Sequence, residues 1–250
     1  MSVRLGLLVL ALGLLGASAS AEQLTTTTAD GITIHGEPYL RDLPPDSPLV
    51  VLFHMGGSSA RGEYGQIGPW LNEAGFRAVA WDLRGGGDRL GVANRTVEAP
   101  GTPELESYCD AYPEIVAAVD HAITTGLADR AIVWGSSYTA SLIFRLAAEA
   151  PEKVAGLVAF SPASGGPMVD CRARMWVEAV EAPMLVYRPE REMAREPSVE
   201  QKQILEAAGV EFHVLANGVH GSPMLLDDKT GHDMSAARKQ VLAWLHALEP

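Results

Sequence analysis

Short, uninterrupted apolar runs recur along the chain, and each is followed by a stretch in which apolar residues have helical spacing. Such runs favour strands that are buried on both faces, and their alternation with helices is typical of a mostly parallel sheet with helices on both sides. The predicted strands are Leu49–Phe53, Ala78–Trp81, Ala131–Trp134, Val154–Phe160, Pro183–Tyr187 and Val210–Leu215. The predicted helices lie near Tyr64–Ala74, Pro113–Thr125, Ala140–Ala150, Ser198–Ala208 and Ser235–Leu248. The pattern therefore predicts an α/β fold.

Two further segments, Gln23–Thr28 and Ile32–Tyr39, are rich in β-branched residues and meet at Asp30-Gly31, a pair typical of hairpin turns. We expect antiparallel strands at this end of the sheet. A chain of 250 residues is long enough for one sizeable core. We therefore expect a single domain over residues 22–250.

The first residues have the three parts of a secretory signal peptide: Arg4, the apolar run Leu5–Leu15 and small residues that end at Ala21. The apolar run is about half the roughly 20 residues that a membrane span needs. We expect cleavage after Ala21, a mature chain without a membrane span, and a periplasmic or secreted location. Export would place Cys109 and Cys171 in oxidising surroundings and favour a disulfide between them, with two buried free thiols as the alternative.

The formal net charge of −12 indicates an acidic surface, which repels nucleic acids and anionic membranes. The chain contains seven histidines, but no two of them have the compact spacing of a zinc motif such as H-E-x-x-H. We therefore expect a small-molecule partner and neither a metal nor another cofactor.

The segment Gly135-Ser136-Ser137-Tyr138-Thr139 joins a predicted strand directly to a predicted helix. This is the context of a nucleophile elbow, G-x-S-x-G, in which a strained turn exposes a serine hydroxyl. Ser137 is the better nucleophile because Gly135 stands two residues before it, whereas Ser136 would have Trp134 there. Thr139 departs from the motif, and it requires a wider approach of helix to strand than glycine would.

With this segment the chain resembles the α/β-hydrolase superfamily, in the neighbourhood of dienelactone hydrolases and serine-peptidase-like esterases. Two other segments follow in the family's order. Residues 52–57, Leu-Phe-His-Met-Gly-Gly, resemble the oxyanion loop, and residues 81–88 resemble the D-x-R-G-x-G segment, in which Asp82 and Arg84 would brace a loop. The resemblance implies an oxyanion hole made by the N–H of Tyr138 and that of Met55 or Gly56, with Met55 preferred.

A serine nucleophile needs a base, most often a histidine that a carboxylate orients. In the family the histidine lies in the loop after the last strand, where this chain has His220. His213 and His232 are better explained as packing or surface residues. His54 borders the oxyanion loop and is a candidate substrate contact.

The family's acid follows the strand that corresponds to Pro183–Tyr187, usually as Gly-x-x-Asp, but here that strand is followed by Arg-Pro-Glu-Arg-Glu. Counting from the strand end places Glu192 at the acid position, with Glu190 as the alternative. In a third interpretation both are solvated carboxylates in a run of charges, and Asp227 and Asp228 are more distant candidates.

The resemblance implies a serine hydrolase that cleaves carboxylic esters or related acyl compounds through an acyl-enzyme. The short segment before Pro183 leaves no room for a cap domain and predicts an open site, at which Arg172 and Arg174 are candidate contacts for a substrate carboxylate. The long connection Gly85–Glu106 is a lid, a pocket wall or a mobile surface segment. One alternative is a serine peptidase, with Asp88 or Asp110 holding a free amine. Another is a non-catalytic binding protein on the same scaffold.

Overall fold

A computed structural model describes residues 24–248, and the predicted signal peptide lies outside the described residues. Eight strands form one sheet in the order β1-β2-β4-β3-β5-β6-β7-β8. They are β1 (Leu24–Thr27), β2 (Thr33–Tyr39), β3 (Leu49–Phe53), β4 (Arg77–Asp82), β5 (Ala131–Ser136), β6 (Val154–Phe160), β7 (Met184–Pro189) and β8 (Glu211–Leu215).

The sheet has the predicted mixture of directions. β1 and β2 form an antiparallel hairpin and β2 is antiparallel to β4, whereas β3 to β8 are parallel to one another. Every residue of β3, β4, β5 and β7 is buried, which explains their uninterrupted apolar sequences. The predicted mostly parallel sheet with N-terminal antiparallel strands is confirmed.

Helices cover both faces of the sheet. Apolar residues of α4, α5 and α6 pack on one face, and those of α1, α2 and α8 pack on the other. No helix within residues 24–248 has the length and apolar character needed to cross a bilayer. The helices are α1 (Ala60–Tyr64), α2 (Ile67–Glu73), α3 (Arg95–Glu98), α4 (Tyr112–Thr124), α5 (Tyr138–Glu149), α6 (Glu196–Ala207), α7 (Asp227–Thr230) and α8 (Ser235–Ala247).

The single helix predicted for residues 64–74 is two helices in the structure. α1 begins four residues earlier because two acceptors fix its start: the Ser59 side chain accepts the Gly62 N–H at 3.0 Å, and Asp82 accepts the Ala60 N–H at 2.6 Å. Asp82 belongs to β4, so this anchor depends on a contact between distant parts of the sequence. Helical periodicity alone does not contain that information.

The long connection 85–106 is held against the sheet by buried polar contacts. The Asn94 side chain accepts the N–H of Val97 at the start of α3 and donates to the carbonyl of Leu83 at 3.0 Å. Arg95 forms an ion pair with Asp82 at 2.7 Å. These bonds hold the connection against the segment after β4, and the contacts of Asp82 agree with its expected bracing role.

The disulfide predicted between Cys109 and Cys171 is present, with a Cα–Cα distance of 5.7 Å. It joins the 3₁₀ turn Tyr108–Ala111, which precedes α4, to the segment between β6 and β7. The bridge therefore restrains two connections on the α5 side of the sheet.

Removal of this disulfide is expected to destabilise the fold. The cysteines are 62 residues apart, and closing a loop of that length lowers the unfolded-chain entropy by an amount that corresponds to about 4 kcal/mol. The Cys109→Ser/Cys171→Ser double variant should unfold at a clearly lower urea concentration than the oxidised protein. Reductant should lower the midpoint of the wild type and leave that of the variant unchanged. Equal midpoints for the two oxidised proteins would contradict this expectation.

Candidate active site

The turn between β5 and α5 places Ser137 at the carboxyl end of the sheet. Ser137 has φ 62° and ψ −115°, a strained conformation for a residue with a side chain. The Ser137 N–H donates to the carbonyl of Phe160 at 2.8 Å, which ties the turn to β6. A Cβ atom on Gly135 would lie 2.6 Å from the backbone of Ala140, so only glycine fits there. The segment has the geometry of a nucleophile elbow.

Thr139 occupies the position at which the motif usually has a second glycine. Its hydroxyl oxygen accepts the Ser136 N–H at 2.8 Å, and its hydroxyl donates to the carbonyl of Phe53 at 2.8 Å. The side chain is fully buried. Thr139 therefore links the elbow to the end of β3, so the departure from the motif has a structural role.

Ser137, His220 and Glu192 form a continuous hydrogen-bonded series. His220 Nε2 lies 2.8 Å from Ser137 Oγ, and His220 Nδ1 lies 2.5 Å from Glu192 Oε1. With its proton on Nδ1, the imidazole donates to the carboxylate and accepts from the serine hydroxyl. Three residues that are far apart in the sequence thus come together in the arrangement of a nucleophile, a base and an orienting acid.

Glu192 lies in a 3₁₀ turn directly after β7, and its two oxygens have different partners. Oε1 accepts from His220, whereas Oε2 accepts from Arg188 Nη1 at 2.9 Å. Burial favours the neutral carboxyl, but the hydrogen bond with His220 and the charges of His220 and Arg188 outweigh it and lower the pKa of Glu192. The carboxylate is therefore ionised at neutral pH.

The other candidate acids lie elsewhere. Glu190 is exposed in the same turn. Asp227 pairs with Arg238 at 2.7 Å, and Asp228 pairs with Lys229 at 3.2 Å. Among the carboxylates proposed from the sequence, Glu192 is the one that the structure places against His220.

Arg188 contacts the candidate acid, although in the sequence it stands in a run of charges that indicated solvated side chains. Its side chain is buried and donates to Glu192, to Ser198 Oγ at 3.0 Å, to Gln201 Oε1 at 2.6 Å and to the carbonyl of Pro162. Arg188 is buried because it belongs to β7. This strand continues to Pro189, two residues beyond the predicted strand end at Tyr187. The guanidinium therefore fixes both the position and the charge of Glu192.

The loop after β3, residues 54–59, is called the oxyanion loop below. The Met55 carbonyl accepts His54 Nδ1–H at 2.9 Å and the Ser58 N–H at 3.2 Å. In a planar trans peptide the next N–H points the opposite way, so the Gly56 N–H is directed away from these buried donors. The N–H of Tyr138, in the first turn of α5, has no acceptor within its own helix. Gly56 and Tyr138 are therefore the candidate oxyanion donors.

The family resemblance favours Met55 for this role, and the structure corrects this expectation. The Met55 N–H donates to Glu63 Oε2 at 2.8 Å and both groups are buried. An N–H that is already engaged by a buried carboxyl group is not available to a substrate. The direction of this bond depends on α1, whose contact with the loop does not follow from helical periodicity.

His54 is fully buried, so its proposed contact with substrate is also wrong. Its Nε2 accepts the Leu83 N–H at 2.9 Å, and burial lowers its pKa despite the opposing hydrogen bond to the Met55 carbonyl. The neutral ring thus joins the end of β3 to the segment after β4. Arg84 braces the same segment through an ion pair with Glu114 at 2.6 Å.

The remaining polar candidates have other partners or are exposed. His213 contacts Glu211, Arg174 pairs with Glu200, and Asp110 accepts the Ser107 N–H in a capping box. His232 and Asp88 are exposed. Across residues 24–248 there is no group of three His, Cys, Asp or Glu side chains that could hold a metal ion.

Comparisons with known proteins give the same architecture. A family model described as "Serine aminopeptidase, S33" matches residues 45–207. DcsB, solved in complex with its substrate analogue, superposes with a TM-score of 0.70 at 15% identity, covering 92% of this chain and 99% of its own. An esterase of Pyrococcus furiosus superposes with a TM-score of 0.64 at 15% identity over 92% and 91% of the two chains. Est1E from Butyrivibrio proteoclasticus superposes with a TM-score of 0.65 at 15% identity, covering 89% of this chain and 97% of its own. No curated protein matches the sequence.

Proposed function

The chain belongs to the serine aminopeptidase S33 family of α/β hydrolases, and from this premise we propose that it hydrolyses carboxylic esters of small or medium size through an acyl-enzyme on Ser137. The observation that carries the proposal is the hydrogen-bonded series of Ser137, His220 and Glu192 at 2.8 and 2.5 Å. Ser137 is half-buried, so its hydroxyl can meet a substrate.

In the proposed reaction, Ser137 Oγ attacks the ester carbonyl carbon while His220 Nε2 takes the hydroxyl proton. The ionised Glu192 stabilises the imidazolium that forms. The oxyanion accepts the N–H groups of Gly56 and Tyr138, and His220 then donates its proton to the departing alcohol. Water, activated by the same histidine, attacks the acyl-enzyme and releases the acid, and no cofactor takes part.

An open site fits the short connection between β6 and β7. This segment contains only short 3₁₀ turns and is tied down by the disulfide. Because residues 24–248 contain no cap domain over this edge of the sheet, the acyl group is left partly solvated, which favours small or medium acyl chains. Arg174, one of the two arginines expected to contact a substrate carboxylate, is paired with Glu200 at 2.8 Å instead.

The second candidate function is peptide hydrolysis, which the family description favours. A solved acylaminoacyl peptidase from Pyrococcus horikoshii also superposes, with a TM-score of 0.62 at 11% identity, over 90% of this chain and 41% of its own. An aminopeptidase needs a carboxylate for the free amine of its substrate. Asp110 is used in the capping box and Asp88 is exposed, so neither supports that role.

We also propose that the mature chain, residues 22–250, is one exported domain, periplasmic or secreted. The disulfide supports an oxidising location because thiols in the cytosol are usually kept reduced. A small-molecule acyl substrate, rather than a nucleic acid, suits the acidic surface.

The proposal is tested with p-nitrophenyl esters of increasing acyl length beside aminoacyl and acylaminoacyl p-nitroanilides. We expect turnover of short or medium esters and much slower turnover of the anilides. Preferential cleavage of an anilide would replace the esterase proposal with the peptidase. Absence of turnover together with absence of labelling by a fluorophosphonate would indicate a binding protein on a hydrolase scaffold.

A matched pair of substitutions tests the oxyanion loop. A Cβ atom on Gly56 would lie 2.5 Å from the hydroxyl of Tyr108, whose ring stacks on that of Tyr138 with 4.6 Å between centroids. Gly56→Ala should displace the loop and lower kcat/KM by about ten- to a hundredfold, since losing one donor fully costs about 10²- to 10³-fold. The second change Tyr108→Ala should restore part of the loss by making room. A double variant less active than Gly56→Ala would contradict the steric explanation.

A further inference from the structure

Glu63 is a buried carboxyl group that the proposed reaction does not use. It lies in α1, and its side chain faces the interior with 1% of the residue exposed. One oxygen, Oε2, accepts the Met55 N–H at 2.8 Å in the oxyanion loop. The other, Oε1, has no well-aligned hydrogen-bond donor, although the Ser136 hydroxyl lies beside it. Glu63 therefore contacts the peptide that immediately precedes a candidate oxyanion donor.

The same carboxyl group reaches the loop that carries the base, residues 216–222, called the histidine loop here. Ser136 Oγ accepts the Ser222 N–H at 3.0 Å, so its own hydroxyl proton is free to donate towards Glu63. A Cβ atom on Gly221 would lie 3.5 Å from Glu63 Oε1 and would overlap Ser136 Oγ. Glu63 is thus packed where the oxyanion loop, the nucleophile elbow and the histidine loop meet.

The ionisation of Glu63 falls in the range in which such enzymes work. Burial raises its pKa to about 7, although contacts with Ser136, the Met55 N–H, the His220 charge and the Ser222 backbone act in the opposite direction. Of the other titratable groups that face it, Tyr64 and Tyr138 have pKa values raised well above the ordinary value by burial, so both stay neutral. The charge of His220, another titratable group, also acts on Glu63.

We propose that Glu63 is a positioning residue whose ionised carboxylate holds the oxyanion loop and the histidine loop in the reactive arrangement. A carboxylate accepts from both Met55 and Ser136, whereas a protonated carboxyl group keeps a hydrogen of its own and disturbs one of these contacts. The negative charge also favours the imidazolium that forms on His220 during the reaction. The reactive enzyme then has two deprotonated groups, Glu63 and His220. This inference rests on the proposed function.

The test is the pH dependence of kcat/KM for the preferred ester. If activity is highest when Glu63 and His220 have both lost a proton, log(kcat/KM) of the wild type rises below neutral pH with a slope that exceeds one and approaches two over about one to two pH units, and the slope returns to one where Glu63 is fully protonated. Glu63→Gln should rise with a slope of one, because a single ionisation remains. Its plateau should be lower by about ten- to a hundredfold, the range expected when a charge-assisted hydrogen bond is lost.

Two further variants complete the experiment. Glu73→Gln makes the same chemical change at an exposed position of α2, and its profile should match that of the wild type. Glu63→Asp keeps the charge with a shorter reach and should retain a slope above one, with partly restored activity. Circular dichroism establishes that each variant is folded.

A wild-type slope that never exceeds one overturns the inference even if Glu63→Gln does not fold. A folded Glu63→Gln that is less active but keeps a slope above one overturns it as well, because Glu63 would then have a structural role only. These outcomes leave the proposed hydrolase intact. A different result would overturn the proposed function: esterase activity that persists in the Ser137→Ala variant.

Discussion

Substitution of Ser137 by alanine is expected to lower kcat/KM for p-nitrophenyl esters by about 10⁴- to 10⁶-fold, to the level that binding and the oxyanion donors alone maintain. The reason is that, among the hydroxyl groups of residues 24–248, only that of Ser137 combines a half-buried position at the elbow with a hydrogen bond to His220 Nε2, at 2.8 Å. The neighbouring Ser136 is fully buried, and its oxygen accepts the Ser222 N–H. Labelling by a fluorophosphonate should disappear together with turnover.

The matched control is Ser47→Ala. Ser47 precedes β3 and lies at the opposite end of the sheet from Ser137, so this variant should keep both turnover and labelling. Mass spectrometry of the labelled wild type should place the adduct on Ser137. An adduct on Ser136 would show that Ser136, and not Ser137, is the nucleophile. An active Ser137→Ala protein would exclude the proposed acyl-enzyme on Ser137.

Glu192→Gln is expected to cause the second large loss, about 10³- to 10⁴-fold in kcat/KM. An amide can present its NH₂ group to His220 Nδ1, which then has to accept, and the proton moves to the nitrogen that should receive the serine proton. The buried Arg188, 2.9 Å from Glu192, also loses its counter-charge. The fall should therefore appear mainly in kcat, since the interaction strengthens as the imidazolium forms.

Glu190→Gln makes the identical chemical change two residues away on an exposed side chain and should leave kcat/KM within about twofold of the wild type. The comparison decides between the two acids that the sequence left open. A large loss in Glu190→Gln with an active Glu192→Gln would assign the acid role to Glu190. Because the pKa of Glu192 is lowered, its protonation should not limit activity near neutral pH.

The strands could be predicted because burial on both faces requires apolar side chains at successive positions, as in β3 and β5. The choice of Glu192 came from the family resemblance, because counting from the predicted strand end at Tyr187 placed Glu192 where relatives usually carry the acid. The hydrogen bond between Glu192 Oε1 and His220 Nδ1 agrees with that choice. The strands were thus predictable from local sequence, whereas the acid was predictable from the resemblance.

The features that could not be predicted from the sequence depend on contacts between separate segments of the chain. Whether Met55 or Gly56 presents its N–H depends on Glu63, eight residues further on, and on the start of α1 at an aspartate of β4. Glu63 follows Ala60 by three residues and precedes Ile67 by four, a spacing that places it on the buried face of a helix. That spacing could have marked Glu63, but the predicted helix began at Tyr64, one residue after Glu63 and four residues after the start of α1.

The backbone of Ser137 also bears on how such a chain changes over evolutionary time. A residue in this strained region costs about 1–3 kcal/mol of stability. A lineage that kept only a binding role would gain stability from glycine at this position, which a single nucleotide change in some serine codons allows. Selection for stability alone thus acts against a serine with φ 62°. A serine hydroxyl that is hydrogen-bonded to His220 Nε2 is instead a feature that selection for chemistry would favour.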